Sequence, residues 1–236
     1  MNAFTYQQNQ KKVIDQIESQ VAQQSLSFTT VTPPSVSFQD DPRVSITSVH
    51  LPASSLINPI LDQLIKPLEK EFPEHYYYDQ ESLHLTIKNV RVIHDPPLFD
   101  QQDIEVAQQV FAQVIPQHFA FNVYYYRLLL FPYNLALIGT TDPELDNIVL
   151  DLDQKLKEAN VADDKKYIND RFFFSNVTLA RFSRPVTSAF IGQVEKLSAN
   201  LKFTPYCVDS VTLLTCNAVL KKRQEIETFW LPKNKE

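Results

Sequence analysis

Two short stretches of this chain nearly repeat each other, and that repeat limits what the chain can fold into more than any other feature. Leu83-His84-Leu85-Thr86-Ile87 and Ser175-Asn176-Val177-Thr178-Leu179 share one order: small or apolar, polar, apolar, Thr, apolar. They lie 92 residues apart, so each half of the chain carries one copy. In an extended strand, residues two apart point to the same face. His84 and Thr86 are therefore expected to project together, as are Asn176 and Thr178. An imidazole beside a hydroxyl can hold a phosphate and exchange a proton with it near neutral pH. A carboxamide can hold the same group but exchanges no proton in that range.

Composition narrows the surroundings of this pair. The 236 residues can bury a substantial core, as one domain or as two intimate halves. Only two glycines occur, Gly139 and Gly192, so there is no Gly-rich phosphate loop of the Rossmann or Walker type. Any phosphate site must come from side chains or ordinary backbone. The two cysteines, Cys207 and Cys216, make neither a disulfide framework nor, alone, a metal site, and they point to a reducing cytoplasm. No signal-like run opens the chain, and no stretch reaches the roughly 20 apolar residues of a membrane span. A net charge of −6 opposes broad nucleic-acid binding, which needs many phosphates neutralised. It leaves room for a small basic cleft.

Residues 1–42 read as an N-terminal segment. Val13, Ile14, Ile17 and Val21 suit a weakly amphipathic helix in a Gln-rich stretch, followed by a Pro/Ser/Thr linker. On composition alone this is an appendage on the surface of the core. From Arg43 the chain reads as one domain of two intertwined lobes, 43–236. Strands are expected at Val44–Val49, Tyr76–Tyr78, around His84, at Phe119–Leu130, Leu135–Ile138, Phe172–Ala180, Tyr206–Cys216 and Ala218–Leu231. Helices are expected over Leu56–Leu68, bounded by Pro59 and Pro67, and over Ile104–Val114. Further helices are expected after an Asp142 cap with Pro143 at the first turn, and over Val186–Leu197. Hairpin-like neighbours make this α+β with antiparallel sheets, not a doubly wound parallel sheet. Two similar halves, each with a motif strand, imply a cleft between them.

On His84-Leu85-Thr86 and Asn176-Val177-Thr178-Leu179-Ala180-Arg181-Phe182, in matching strands, the chain resembles the two-histidine (2H) phosphoesterase superfamily. This is the RNA-ligase-like and cyclic phosphodiesterase group, and the resemblance covers roughly residues 43–231. It implies a bilobal fold of two pseudo-symmetric antiparallel sheets flanked by helices, facing each other across a cleft. It also implies metal-free opening of 2′,3′-cyclic or related phosphodiesters, without a cofactor, by two histidines sharing acid and base duty while two hydroxyls hold the phosphate. Carried over residue by residue, His84, Thr86 and Thr178 are the catalytic candidates. Asn176 stands where the second histidine belongs and is left a phosphate-holding role.

Lys88 shares the simple alternation with His84 and is expected to add charge at the cleft edge. Arg181 falls on the opposite alternation from Asn176 and Thr178 and points elsewhere unless the strand bulges. Of the remaining histidines, His50 is the one that approaches a cleft, whereas His75, His94 and His118 read as element ends or loops. Tyr124–Tyr126 and Phe172–Phe174 read first as core and sheet surface, with base stacking as the second reading. Lys221-Lys222-Arg223 reads as a solvated hairpin turn. Two functions stay open: an enzyme acting on a small nucleotide or RNA-end phosphate, and a catalytically disabled protein that binds such a phosphate or mediates interactions. Either way a monomer with a small ligand and no membrane partner is expected.

Overall fold

The computed structural model describes residues 3–25, 37–161 and 170–233. Residues 26–36 of the expected linker lie outside that set. The N-terminal helix is present as α1 (Ala3–Ala22). The strands are β1 (Val44–His50), β2 (Tyr76–Tyr77), β3 (Leu85–His94), β4 (Phe121–Leu130), β5 (Asn134–Thr141), β6 (Ser175–Arg181), β7 (Tyr206–Val208), β8 (Ser210–Cys216) and β9 (Arg223–Trp230). They form two sheets, ordered β3-β1-β8-β9 and β2-β6-β5-β4-β7, with every pairing antiparallel. The fold is α+β and bilobal. Each lobe borrows from the other half of the chain: β2 joins the second sheet, while β8 and β9 complete the first.

Helices cover the outer faces. A helical run passes from α2 (Ser54–Ile60) through a π turn at Leu61–Ile65 into α3 (Lys66–Glu71). Pro59 and Pro67 therefore do not bound this helix as expected. Both lie within it, on either side of a turn whose i→i+5 bonding resets the ladder that a proline would break. The next helix, α4 (Gln101–Val114), starts earlier than its apolar spacing suggests, because Asp100 and Asp103 form a reciprocal capping box. The following helix, α5 (Glu144–Glu158), does not use Asp142 as its cap. That carboxylate instead accepts from the backbone N–H and side chain of Asn122 and from the Tyr124 hydroxyl. The last helix is α6 (Ser188–Ala199), capped by Thr187.

One expected strand, Tyr206–Cys216, is two. The chain leaves the second sheet after Val208, turns at Asp209, and enters the first sheet at Ser210. A single apolar core serves both sheets and takes in Leu85, Ile87, Leu135, Leu137, Val177, Leu179 and Leu213 together with the helices α2–α6. The opposite face of the second sheet has its own cluster, Leu129, Ala136 and Ile138, and α1 packs there through Val13, Ile14 and Ile17. Full burial of such aliphatic side chains stabilises by about 1.5–3 kcal/mol each.

Gly139 sits in β5 opposite Tyr125, beside the extra residue Tyr126 in β4. A Cβ there would lie 2.8 Å from Val123 Cγ1, 3.0 Å from Tyr125 Cδ1 and 3.1 Å from the Tyr124 carbonyl oxygen. Two of these neighbours are close to the backbone and cannot give way cheaply. Gly139→Ala is expected to destabilise the protein by about 1–3 kcal/mol, read from the urea unfolding midpoint. An unchanged midpoint would show that β4 and β5 part at no cost.

Candidate functional site

The two motif strands meet at the seam between the sheets. In the first sheet β3 is the edge strand, and in the second β6 is bordered by β2 only at Ala180 and Arg181. Their backbones run close together without sharing a ladder. The expected neighbourhood of the two motifs is therefore formed by sheet topology.

Register decides which side chains face the cleft. Across the ladder Thr86 pairs with Val49 while Lys88 pairs with Ser48, so Ile87 is one residue too many. In the second sheet Thr178 pairs with Ala136 while Ala180 pairs with Leu135, so Leu179 is the extra one. Each motif strand thus bulges at the residue after its threonine. A bulge reverses the alternation beyond it. Lys88 turns away from the Thr86 face, becomes fully buried and pairs with Asp153 of α5. The cleft-edge position expected for Lys88 is not where the structure puts it. Arg181, opposite Asn134, comes round to the face that carries Asn176 and Thr178.

His84 immediately precedes β3. The loop that leads to it is fixed by the Asp79 carboxylate, which accepts from Ser82 N at 3.1 Å and Ser82 Oγ at 2.7 Å and pairs with Lys221 of the β8–β9 turn. His84 Nδ1 donates to the Ser82 carbonyl at 2.7 Å, so Nε2 is the bare nitrogen. Only 8% of the residue is exposed. Burial, aided by the positive charges of Arg181 and Arg223, pushes its pKa down to about 4, against the pull of the Ser82 carbonyl. His84 is a neutral acceptor at neutral pH. Thr86, Asn176 and Thr178 are each half-buried.

Sequence alone did not bring out the group around His84. The Tyr78 ring lies 6.0 Å from the His84 ring. Arg181 Nε donates to the Tyr78 hydroxyl at 2.9 Å, and Arg181 Nη2 donates to the Ala218 carbonyl at 2.9 Å. The Tyr78 hydroxyl donates to the same carbonyl at 3.0 Å. These bonds fix the guanidinium and use two of its five donors. Arg223, read as part of a solvated turn, donates to the Glu81 carbonyl at 2.7 Å and helps to bias His84. Tyr76-Tyr77-Tyr78 and Arg181 were visible signals, but only the bulge and the turn unite them.

No other histidine takes the place of Asn176. His50 is the cross-strand partner of Leu85 and so points away from the Thr86 face. Its Nδ1 lies 3.0 Å from the Ser210 carbonyl and its Nε2 3.0 Å from the Tyr206 hydroxyl, at the edge of a separate cavity of about 770 Å³. His75 stacks edge-on against Phe182 and Phe190. His118 lies between Glu144 and Asp151, and His94 bonds the Pro96 carbonyl. Among the described residues no group of three or more His, Cys, Asp or Glu side chains is placed to hold a metal ion.

A stability test follows from the state of His84. An exposed imidazole in the unfolded chain takes up its proton near pH 6.5, whereas the buried one waits until about pH 4. The unfolded state binds more protons between these values, so stability falls as pH drops through that window and is full above it. His50 and His75, also pushed down by burial, act in the same direction. His84→Asn is expected to flatten the loss between pH 7 and pH 5 relative to wild type, measured by urea unfolding. Parallel curves would mean that His84 is not held neutral.

No protein-family model and no curated protein sequence matches this chain. Solved structures do. A conserved protein of unknown function from Agrobacterium tumefaciens, ATU0111, is 14% identical with a TM-score of 0.56, covering 89% of this chain and 97% of that one. TT0787 of Thermus thermophilus is 12% identical with a TM-score of 0.55, covering 81% and 100%. Escherichia coli LigT complexed with 3′-AMP is 13% identical with a TM-score of 0.51, covering 80% and 98%. Such identities speak for the fold. With two antiparallel sheets meeting at their motif strands, the chain has the fold of the LigT-like, two-histidine phosphoesterases.

Proposed function

We propose that the cleft binds a small nucleotide or RNA-end phosphodiester and opens its 2′,3′-cyclic form slowly. The observation that carries this reading is the bulge that brings Arg181 onto the Asn176–Thr178 face beside the neutral His84. The LigT structures with 3′-AMP and ATP, nucleotides held by a protein of the same fold, support it.

The chemistry can be written from the side chains. Arg181 offsets the phosphate charge, and the hydroxyls of Thr86 and Thr178 with the Asn176 carboxamide hold its oxygens. His84 Nε2 takes a proton from the attacking water. The departing 2′ oxygen then needs a proton, which Asn176 cannot give. Loss of an acid or base of this kind slows the reaction by about 10²–10⁴-fold. The low basicity of a buried imidazole slows it further. Those two features favour a second reading, a cleft that binds without turnover. We also place the protein in the reducing cytoplasm as a monomer.

Hydrolysis of adenosine 2′,3′-cyclic phosphate tests the pair of readings. Slow turnover in wild type, lost in His84→Ala and raised about 10²-fold or more in Asn176→His, is the expected result. Binding of 3′-AMP without turnover establishes the second reading. Arg181→Ala is expected to weaken 3′-AMP binding by about tenfold or more. If wild type binds neither 3′-AMP nor inorganic phosphate, the phosphate reading is wrong.

A further inference from the structure

The face of the second sheet that carries the motif is already occupied. Asn176 pairs with Ile138 and Thr178 with Ala136, so these four side chains share one face. Ile138 and Ala136 are the residues on which α1 packs, and Phe172, Phe174 and Tyr126 border the same cluster. The N-terminal helix therefore lies along the motif-bearing wall, where a ligand reaching beyond its phosphate would have to go. The other helices of this lobe cover the opposite face.

The wall beneath α1 has the chemistry of a nucleotide subsite. Tyr126, Phe172 and Phe174 give flat aromatic surface, on which bases of any identity stack. Arg127, in β4, is held by two carboxylates of α1: Nη2 donates to Asp15 at 2.9 Å and Nη1 to Glu18 at 2.7 Å. The same two donors could instead grip a single phosphate as a fork. The Tyr6 ring of α1 lies 5.8 Å from the Phe172 ring, tilted by 58° to it, and covers part of that aromatic surface. Beside its aliphatic contacts and the Gln10 hydrogen bonds, α1 thus sets an aromatic ring against an aromatic ring and carboxylates against an arginine.

We propose that α1 is the resident occupant of a subsite for the base and a neighbouring phosphate of a nucleotide, and that such a ligand enters when α1 lifts. The inference rests on the phosphate reading of the cleft. Affinity measured on the closed protein is then reduced by the fraction of molecules in which α1 is raised. The motif residues themselves stay in place when the helix moves, so a ligand no larger than inorganic phosphate is indifferent to it.

Two variants loosen α1 by different means. Asp15→Asn with Glu18→Gln removes both ion pairs at side chains that are 59% and 54% exposed, so the fold is not at risk. Ile14→Asp breaks the apolar contact instead and shifts the charge in the opposite direction, which separates loosening from bulk electrostatics. Hydrogen exchange reads α1 against β4–β6, and titration with 3′-AMP and with inorganic phosphate reads the site. The expected result is faster exchange confined to α1, 3′-AMP bound about tenfold tighter by both variants, and phosphate unchanged. Arg127→Ala added to either variant is expected to cancel the gain. Loosened α1 with unchanged 3′-AMP affinity overturns the proposal, and so does an α1 that exchanges only with global unfolding in every variant. If neither ligand binds any of the proteins, the phosphate reading fails and takes this inference with it. Phosphate bound alike by all, with no gain for 3′-AMP, overturns the subsite alone.

Discussion

One extra residue in each motif strand sets the geometry on which the site depends. Ile87 and Leu179 follow the two threonines, and both must bury their side chains in the core shared by the sheets. Inserting either into its strand without a bulge would put every later side chain on the wrong face. The bulges absorb that cost locally, at the rim of the cleft, where such irregularities commonly re-aim side chains. Their common position, directly after Thr86 and Thr178, is the clearest sign of the pseudo-symmetry of the halves. Their outcomes differ because the sequences beyond them differ. In β3 the reversal sends Lys88 into the core, where Asp153 meets its charge. In β6 the corresponding position is Ala180, which buries without a partner, and the next residue delivers a guanidinium to the cleft.

Electrostatics in the cleft runs against that of the whole chain. The net charge is −6, yet Arg181 and Arg223 both act on His84. At short range in a buried site, two fixed positive charges outweigh a diffuse negative excess that solvent screens. The same charges that suit a phosphate keep His84 from holding a proton of its own. The single negative charge of a bound phosphodiester would reverse part of that bias, raising the basicity of Nε2 when it is needed. The Ser82 carbonyl fixes which nitrogen faces the ligand, and so the tautomer does not depend on the ligand being there.

Much of the fold was legible. Alternation and helical spacing marked the positions of most strands and helices, and the near-repeat at His84 and Asn176 pointed to paired lobes. What periodicity cannot carry is a change of phase. Lys88 and Arg181 were assigned by strict alternation, and each lies one bulge beyond the point where alternation stops applying. The split of Tyr206–Cys216 at Asp209 was hidden for a similar reason: both pieces are good strand sequence, and only three-dimensional pairing divides them between sheets. Pro59 and Pro67 were read as helix boundaries because an α-helical ladder cannot pass a proline without loss, whereas a π turn between them changes which donors are required. Asp142 looked like a cap until Asn122 and Tyr124 supplied other donors.

The N-terminal helix shows how a weakly amphipathic segment can still be placed in one register. Val13, Ile17 and Val21 repeat at four-residue steps, so sliding α1 by one turn would exchange similar apolar contacts at little cost. Gln10 forbids the slide. It is fully buried, its amide donates to Thr141 Oγ1 at 2.7 Å and to the Phe173 carbonyl, and its oxygen accepts from Thr141 N at 2.9 Å. A one-turn shift would leave that amide and the Thr141 N–H buried and unpaired, at about 1–3 kcal/mol for each group. Burying a polar side chain gains little stability by itself, but the penalty falls on every alternative register. The strap that Gln10 ties also joins the C-terminal end of β5 to Phe173, just before the second motif strand. The register of α1 is therefore set by hydrogen bonds made at the end of β5 and at Phe173, outside the motif residues themselves.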